Sequence, residues 1–397
     1  MFHSDKGHSA VLEKVEEFLP EVVAAAEEIE ESRSVPPHLI EKMLDAGIFR
    51  MMLPKSIGGK ELDLVQISRI VEAFARADGS TGWTAMVAAG YNCILPIFPE
   101  DIIRKVAGDD GNVMVRGALA PKGRLTPVDG GYRLSGQWPF GTGSYDHKWV
   151  MATGIIFDGE RPRMGPGGIP EMRVALMPAK DARFLDTWHS VGMRGTSSHD
   201  FVVDDVFVTE DHCASLFGAN NLDNTIYRLP FRILASTQHT SVSIGIALGA
   251  MDDLAKLAQT KRPAFRPNMR LIEDPAFRAR YGALMAKLDA ARSCSYWYAQ
   301  EAMEQAASGQ SATPDDAARF GSMVAYVSRV CTEVTEAVFD LAGSSACYNG
   351  SNIQRRWRDA RVAAQHAAAG TDNYELLAGG KLVDPALESE VSVSAAA

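Results

Sequence analysis

The sequence predicts an α+β protein in which a helical N-terminal domain, a β-barrel-like central domain and a C-terminal four-helix bundle follow one another. Apolar residues recur at helical spacing from residue 11 to about residue 100. Between Val113 and Val208, glycines and prolines separate short runs of β-branched and aromatic residues, as is typical of strands. The helical period returns after residue 224 and continues to about Ala378. We therefore place the domain boundaries at 1–112, 113–215 and 216–397.

The N-terminal helices are predicted by an apolar stripe and by the residues that start and end them. Leu12, Val15 and Phe18 begin a stripe at intervals of three and four residues, which is the pattern of an amphipathic helix. Pro37 suits the first turn of the next helix, and Gly47 suits the position just after its end.

The central and C-terminal parts differ in the spacing of their apolar residues. Tyr132–Leu134 and Arg173–Met177 are short, strand-like runs, whereas Ser236–Gln259, Ala276–Ala307 and Asp315–Ala342 are long, alanine-rich stretches of helical period. Long helices in a soluble protein usually pack as a bundle. Their apolar faces exceed what one bundle can bury, so we expect contacts between subunits.

Composition excludes several classes of function. The net charge of -10 and the pI near 5.5 disfavour nucleic acid and anionic membranes as partners, because both attract a basic surface. No apolar run is long enough to span a bilayer, and the N-terminus lacks the pattern of a signal peptide, so we expect a cytoplasmic protein. The sequence contains neither metal-ligand spacing nor the Gly-x-Gly-x-x-Gly motif of a nicotinamide domain, so we expect no metal site and no built-in nicotinamide site.

Three stretches of the sequence resemble the acyl-CoA dehydrogenase superfamily in residues, order and spacing. They are residues 131–144 (GYRLSGQWPFGTGS), residues 187–208 (TWHSVGMRGTSSHDFVVDDVFV), and Gln354–Asp359 followed by His366. The resemblance implies a flavoprotein in which the first two stretches hold the isoalloxazine ring and the third faces the active site. It also implies a homotetramer.

A fourth stretch, Arg262–Phe265, is similar to the Arg-x-x-Phe of this superfamily. The resemblance implies that Arg262 and Phe265 meet the phosphate or adenine end of the flavin across a subunit interface, although the superfamily has glycine where this chain has Arg266. Arg358 is assigned to the cofactor by the same resemblance.

The flavin ring requires an apolar partner and polar groups along its edge. Trp138 and Phe140 alternate with their neighbours, so they are expected to share one face of an extended strand. The turn that follows offers hydroxyl and N–H groups, and the resemblance implies that Thr142 lies near flavin N5 and C4a, where we assign it a catalytic role. The alternative is a pair of core aromatic residues followed by a hairpin turn. The expected cofactor contacts of these two stretches are Trp138, Phe140, Thr142, Gly143, Ser144, Trp188, Thr196 and Ser198.

The catalytic base of an acyl-CoA dehydrogenase is missing from this sequence. Between Asp223 and Asp252, near one location of that base in the superfamily, there is no Asp or Glu, and Val362–Gly370 contains none at the other location. General-base catalysis commonly contributes on the order of 10²- to 10⁴-fold, so dehydrogenation is disfavoured.

His366 stands where the superfamily has its glutamate, and this arrangement resembles the group D flavin monooxygenases. Those enzymes take reduced flavin from a separate reductase, trap oxygen as a C4a-hydroperoxide and hydroxylate an aromatic compound. The resemblance implies FMNH2 or FADH2 and O2 as cofactors, a separate NAD(P)H:flavin reductase as partner, and a small aromatic substrate. An imidazole suits this chemistry, because it can accept a phenol proton or hydrogen-bond the substrate oxygen.

Four further residues are candidates for the substrate pocket beside His366. His239 lies near the other base location, between Asp223 and Asp252, with a satisfied core histidine as the alternative, and Tyr91 and Asn92 follow a predicted helix. Arg116 is a candidate for binding a substrate anion, with a surface arginine as the alternative. Three other functions remain open: an acyl-CoA dehydrogenase-like oxidase with a displaced base, a relative that oxygenates nitrogen or sulfur, and a non-catalytic protein of the same fold.

Overall fold

The computed structural model describes residues 8–143, 146–216, 218 and 220–382, with helices at both ends and strands between them. The helices are α1 (Ala10–Ala24), α2 (Ala26–Ser32), α3 (Pro37–Ala46), α4 (Leu64–Ala77), α5 (Gly79–Ile94), α6 (Glu100–Ala107), α7 (Phe231–Thr260), α8 (Pro275–Ser308), α9 (Pro314–Ala342), α10 (Asn352–Ala363) and α11 (Asp372–Leu382). The strands are β1 (Val115–Val128), β2 (Gly131–Gly141), β3 (Trp149–Asp158), β4 (Arg161–Pro162), β5 (Met172–Pro178), β6 (Arg183–Phe184), β7 (His199–Thr209) and β8 (Cys213–Ala214).

Local hydrogen bonds set the ends of the N-terminal helices. α3 begins at Pro37 and is followed by Gly47, whose φ of 91° costs glycine little. Both features agree with the sequence prediction. α5 begins after Asp78, whose carboxylate accepts a hydrogen bond from the Thr81 N–H at 2.8 Å. This cap fixes the start of a helix that carries two residues of the site described below.

The eight strands form one sheet in the order β6-β7-β2-β1-β3-β5-β8, with β4 paired to β3. Every strand pair is antiparallel except β1 with β3. β2 pairs with β7, and Gly141 lies opposite His199. This pairing brings together the first two stretches that resemble the superfamily.

α7 is the central helix of the C-terminal bundle. It packs against α8, α9 and α10, and also against α4 and α5 of the N-terminal part. One hydrophobic core therefore runs through both helical parts of the chain, while the sheet has a core of its own. Arg356 of α10 donates to Asp253 of α7 at 2.6 Å, and both side chains are largely buried. The predicted fold class, in which a central sheet is flanked along the chain by helices, is confirmed.

Among the residues that the structure describes, no helix combines the length and the apolar character that crossing a membrane requires. In the same part of the chain, no group of three or more His, Cys, Asp or Glu side chains is arranged to hold a metal ion.

Candidate active site

Three buried hydroxyl groups form a hydrogen-bonded chain where β2 and β7 meet. Thr142 Oγ1 lies 2.7 Å from Ser198 Oγ, which lies 2.7 Å from Thr196 Oγ1. Thr196 Oγ1 then donates to the carbonyl oxygen of Met193 at 2.9 Å. All three side chains are buried. We call these three residues the hydroxyl chain.

The backbone of Met193 anchors the hydroxyl chain. Its carbonyl also accepts a hydrogen bond from Trp188 Nε1 at 3.0 Å, and its N–H donates to Asp359 Oδ1 at 2.5 Å. Met193 and Ser197 have φ values of 52° and 51°, a left-handed conformation that costs non-glycine residues free energy. The hydrogen bonds around the loop stabilise this conformation.

The loop between Met193 and Ser198 is also clamped by the N-terminal helices. The Gly195 N–H donates to Ser80 Oγ of α5 at 3.1 Å. A Cβ atom on Gly195 would lie 2.2 Å from Ile29 Cγ2 of α2, so only glycine fits here without a shift. The hydroxyl chain is thus positioned by α2, α5 and α10 as well as by the sheet.

Asp359 is a buried carboxyl group in α10 whose pKa is raised to about 7. Burial is the largest cause, and repulsion from Asp78 and Glu30 adds to it. The hydrogen bond from Met193 opposes this shift. The role of Asp359 is to hold the loop between Met193 and Ser198, because one of its carboxylate oxygens accepts the hydrogen bond from the Met193 N–H.

We expect the difference in free energy of unfolding between Asp359→Asn and the natural protein to shift in favour of the variant as the pH rises from about 4 to about 7. The unfolded carboxyl ionises near pH 4 and the folded one only near pH 7, so the natural protein loses up to about 1.4 kcal/mol per pH unit across this window. Asparagine retains an oxygen for the Met193 N–H and cannot ionise. Urea unfolding at a series of pH values measures the difference.

The control for this measurement is Asp129→Asn, in the exposed turn between β1 and β2. If the two variants show the same pH dependence of stability, the raised pKa of Asp359 is not what lowers the free energy of unfolding of the natural protein above pH 4.

Three aromatic rings form the second part of the site. The ring centroid of Trp83 in α5 lies 5.6 Å from that of His239 in α7 and 5.6 Å from that of His366. The two imidazoles are stacked, with centroids 5.2 Å apart. We call Trp83, His239 and His366 the ring cluster.

The protonation of His239 is fixed by its surroundings. Its Nε2 lies 3.0 Å from the carbonyl oxygen of Ala363, which can only accept, so Nε2 carries the proton. Nδ1 is then an acceptor, and it is buried without a hydrogen-bond partner among the described residues. Burial and the neighbouring His366 lower the pKa of His239 to about 3, so it is neutral at physiological pH.

His366 offers a hydrogen-bond donor, whereas His239 offers an acceptor. Its Nδ1 accepts a hydrogen bond from the Ala368 N–H at 3.2 Å, so the neutral ring carries its proton on Nε2 and donates there. Burial lowers its pKa, although the side chain still reaches solvent. His366 does not lie on a helix: α10 ends at Ala363, and His366 caps the short turn Ala367–Ala369. Within the described residues, no Asp or Glu shifts the pKa of either imidazole.

The hydroxyl chain and the ring cluster are held by the same two elements. Ser80, which contacts the loop, precedes Trp83 by one turn of α5, about 4.5 Å along the helix axis. Asp359, which contacts the same loop, lies on the last turns of α10, and His366 follows the end of that helix. The same two helices therefore position both parts, which together form the candidate active site.

The expectation that Trp138 and Phe140 share one face was wrong. The register of β2 against β7 shifts after Trp138, and Phe140 has a φ of 63°, so the strand bulges between them. Trp138 is fully buried, stacks on Phe201 with centroids 5.1 Å apart, and donates to the carbonyl of Thr153 at 2.8 Å. It is a core residue that has no face left for a flavin. Phe140 is 65% exposed and meets Trp188 edge-on at 6.1 Å.

Three of the predicted substrate contacts are engaged inside the protein. Asn92 is fully buried, accepts from the Met52 N–H and donates to the Phe49 and Ala88 carbonyls. The Tyr91 hydroxyl donates to the Gly117 carbonyl at 3.1 Å. Arg116 is not a surface residue: it is buried and donates to the backbone carbonyls of Gly141 and Ser197, which precede Thr142 and Ser198 of the hydroxyl chain.

The remaining predicted cofactor contacts differ in their surroundings. The Gly143 N–H donates to the Thr196 carbonyl at 3.1 Å, so it is not available to a cofactor. Arg358 is paired with Glu30 at 2.8 Å and also donates to the Val191 carbonyl, which ties α10 to α2 and the Trp188 loop. Arg262 and Phe265 lie between α7 and α8, where Phe265 is fully exposed. Ser144 lies outside the described residues.

Sequence reasoning missed two residues of the site. Trp83 was treated only as part of a predicted helix, and Asp359 only as part of a motif. The position of Trp83 five residues after the capping Asp78 places it near the start of a helix, but it does not show which rings lie beside it. Both residues are brought into the site by contacts between elements that are distant in the sequence.

Comparison with known proteins shows the family of this chain. The sequence profile described as "Acyl-CoA dehydrogenase, N-terminal domain" matches residues 5–100, and "Acyl-CoA dehydrogenase, C-terminal domain" matches residues 237–371. An indole-3-acetate monooxygenase of Pseudomonas putida is 30% identical over 88% of this chain and 87% of its own length. A protein of Rhodococcus jostii named as the oxygenase subunit of a flavin-dependent monooxygenase is 28% identical over 93% and 97% of the two chains.

A solved structure gives the same result for the fold. A Streptomyces protein, XiaF, solved in complex with FADH2 and glycerol, superposes with a TM-score of 0.86 at 25% identity and covers 94% of this chain and 96% of its own. The two relatives named above, which match 88% and 93% of this chain, are monooxygenases by name, and the chain belongs to the acyl-CoA dehydrogenase family.

Proposed function

We propose that this protein is the oxygenase component of a two-component flavin-dependent monooxygenase, which uses reduced flavin and O2 to hydroxylate a small aromatic substrate. The observation that carries the proposal is the ring cluster: two imidazoles stack on each other, and among the described residues no carboxylate contributes to their pKa values. A separate NAD(P)H:flavin reductase supplies the reduced flavin, as the name of the Rhodococcus jostii relative suggests by calling it an oxygenase subunit.

The residues around the hydroxyl chain fit a flavin ring. The exposed ring of Phe140 and the half-buried ring of Trp188 provide aromatic surface near Thr142, which is the combination that an isoalloxazine edge and face require. When bound, reduced flavin supplies the activated oxygen. Phe265 is fully exposed in the single chain, and we propose that it and Arg262 meet the flavin of a neighbouring subunit in a homotetramer.

The two imidazoles are complementary to an aromatic hydroxyl group. His366 Nε2 donates a hydrogen bond and His239 Nδ1 accepts one, and a phenol oxygen does both. With a pKa of about 3, His239 accepts a hydrogen bond without taking the proton. A bond of this kind raises electron density on the ring carbon that is attacked.

We expect phenols to be hydroxylated at least about tenfold faster than the corresponding methyl ethers, because an ether leaves the buried acceptor of His239 unpaired. The assay mixes protein with chemically reduced FMN or FAD, then with oxygen and a panel of such pairs, and measures hydroxylated product by mass spectrometry. The variant His239→Leu removes the acceptor and is expected to reduce the difference in rate between phenols and their methyl ethers.

Two results contradict the proposed function. One is the absence of hydroxylated product with every phenol and indole tested in the presence of reduced flavin. The other is reduction of bound oxidised flavin by an acyl-CoA thioester, which identifies the protein as a dehydrogenase.

A further inference from the structure

The helix α5 is buried on every side except one. All of its residues are buried apart from Trp83, Val87 and Gly90, which are partly exposed. Residues four and seven positions apart lie on the same face of a helix, so these three residues form one open stripe. With a rise of about 1.5 Å per residue, the stripe is about 10 Å long. It begins at the candidate active site, because the ring of Trp83 contacts both imidazoles of the ring cluster.

The glycine at the far end of the stripe has no local reason to be glycine. Gly90 lies inside α5 and its φ is not positive, so other residues can adopt its backbone conformation. Among the described residues, no atom outside the local helix backbone lies within 4 Å of the position that a Cβ atom would take. Glycine is the least favourable residue after proline in a helix interior. Gly90 therefore weakens the helix and leaves open space beside it.

The helix α7 runs beside α5 in the opposite direction. Ile246 Cγ1 lies 3.2 Å from the position of a Cβ atom on Gly79, and the ring of His239 contacts that of Trp83. Moving toward the start of α7 is therefore the same as moving toward the end of α5. Phe231, the first residue of α7, lies in the direction of the far end of the stripe.

The stripe changes from polar to apolar along its length. Val87 and Phe231 are partly exposed, and each packs both against the core of the helical parts and against a smaller core between α5, α6 and the sheet. At the other end, His239 Nδ1 is a buried acceptor without a hydrogen-bond partner among the described residues. A molecule with one hydroxyl group and an extended apolar body matches both ends.

We propose that Gly90 is a specificity-determining residue, which leaves room for the part of the substrate that is remote from its hydroxyl group. The hydroxyl group lies at the two imidazoles, and the apolar body extends past Val87 to Gly90. A stripe of about 10 Å is longer than a single aromatic ring, so the favoured substrate is a phenol that carries a second ring or an apolar substituent. The inference rests on the proposed function, which places a phenol oxygen at the ring cluster.

The test measures the dissociation constants of phenol and of 4-phenylphenol by calorimetric titration, which works whether or not either compound is turned over. We expect the natural protein to bind 4-phenylphenol at least about tenfold more tightly, because the second ring buries further apolar surface. Gly90→Leu fills the open space and is expected to lower this preference by about tenfold, while the dissociation constant of phenol changes by less than about twofold. Gly90→Ala is expected to have a smaller effect in the same direction.

The matched control is Gly282→Leu. Gly282 also lies inside a long helix, α8, and also has open space at its Cβ position, but it is exposed and distant in sequence from the ring cluster. This variant is expected to keep the natural preference. Light scattering measures the oligomeric state of each variant, because a second copy of the chain is the other molecule that can cover the stripe.

The outcomes separate the inference from the proposed function. If Gly90→Leu keeps the natural preference, if it changes the oligomeric state, or if the natural protein binds both compounds equally, the inference is wrong while the proposed function stands. If the preference behaves as expected but no phenol is hydroxylated in the presence of reduced flavin, the proposed function is wrong while the role of Gly90 in binding stands.

Discussion

Substituting His366 with alanine is expected to lower the rate of hydroxylation by about 10²- to 10³-fold while leaving the affinity for reduced flavin unchanged. His366 Nε2 is the hydrogen-bond donor of the ring cluster, and its orientation is set by the bond that Nδ1 accepts from the Ala368 N–H. Removing a donor aimed at the reacting group removes stabilisation of the transition state. Oxygen consumption is then expected to yield hydrogen peroxide in place of hydroxylated product.

The measurement is the ratio of hydroxylated product to hydrogen peroxide at saturating reduced flavin. His366→Gln retains an N–H donor and is expected to recover part of the rate, whereas His38→Ala, at an exposed position of α3, serves as the matched control. An alanine variant at position 366 that hydroxylates within twofold of the natural protein would falsify the role of this imidazole.

Substituting Trp138 with alanine is expected to destabilise the protein by about 3–5 kcal/mol. The indole is fully buried, stacked on Phe201, and its Nε1–H satisfies the Thr153 carbonyl. Alanine leaves a cavity inside the sheet and a carbonyl without its donor. Chemical denaturation followed by circular dichroism measures the loss.

Phe140→Ala gives the matched comparison two residues away. Phe140 is 65% exposed, so its loss is expected to cost at most about 0.5 kcal/mol in stability. Its expected effect is on flavin affinity, because its exposed ring is the proposed contact. Equal losses of stability in the two variants contradict the assignment of Trp138 to the core and of Phe140 to the site.

The order of helices and strands follows from local patterns, and for that reason it was predictable. The apolar stripe beginning at Leu12, the helix start at Pro37 and the end at Gly47 depend on residues a few positions apart. The pairing of β2 with β7 also agreed with the idea that the first two stretches form one wall.

The details of the site depend on geometry that local patterns do not contain. Alternation placed Trp138 and Phe140 on one face, but a bulge with a positive φ at Phe140 separates them. Arginine is usually found at the surface, yet Arg116 is buried, where it donates hydrogen bonds to two carbonyls from segments distant in the sequence. The contact of Trp83 with both histidines joins α5, α7 and the end of α10, so only the folded chain shows it.

The Met193–Ser198 loop is bonded to side chains that lie more than a hundred residues away in both directions, on Ser80 and on Asp359. A fragment must span residues 80–359 to carry both partners, so the loop acquires its conformation only when distant helices have folded around it. Attempts to widen the substrate range should therefore leave this loop intact. The side chain of Ala367, in the turn that follows His366, is better suited to variation, because it is exposed to solvent.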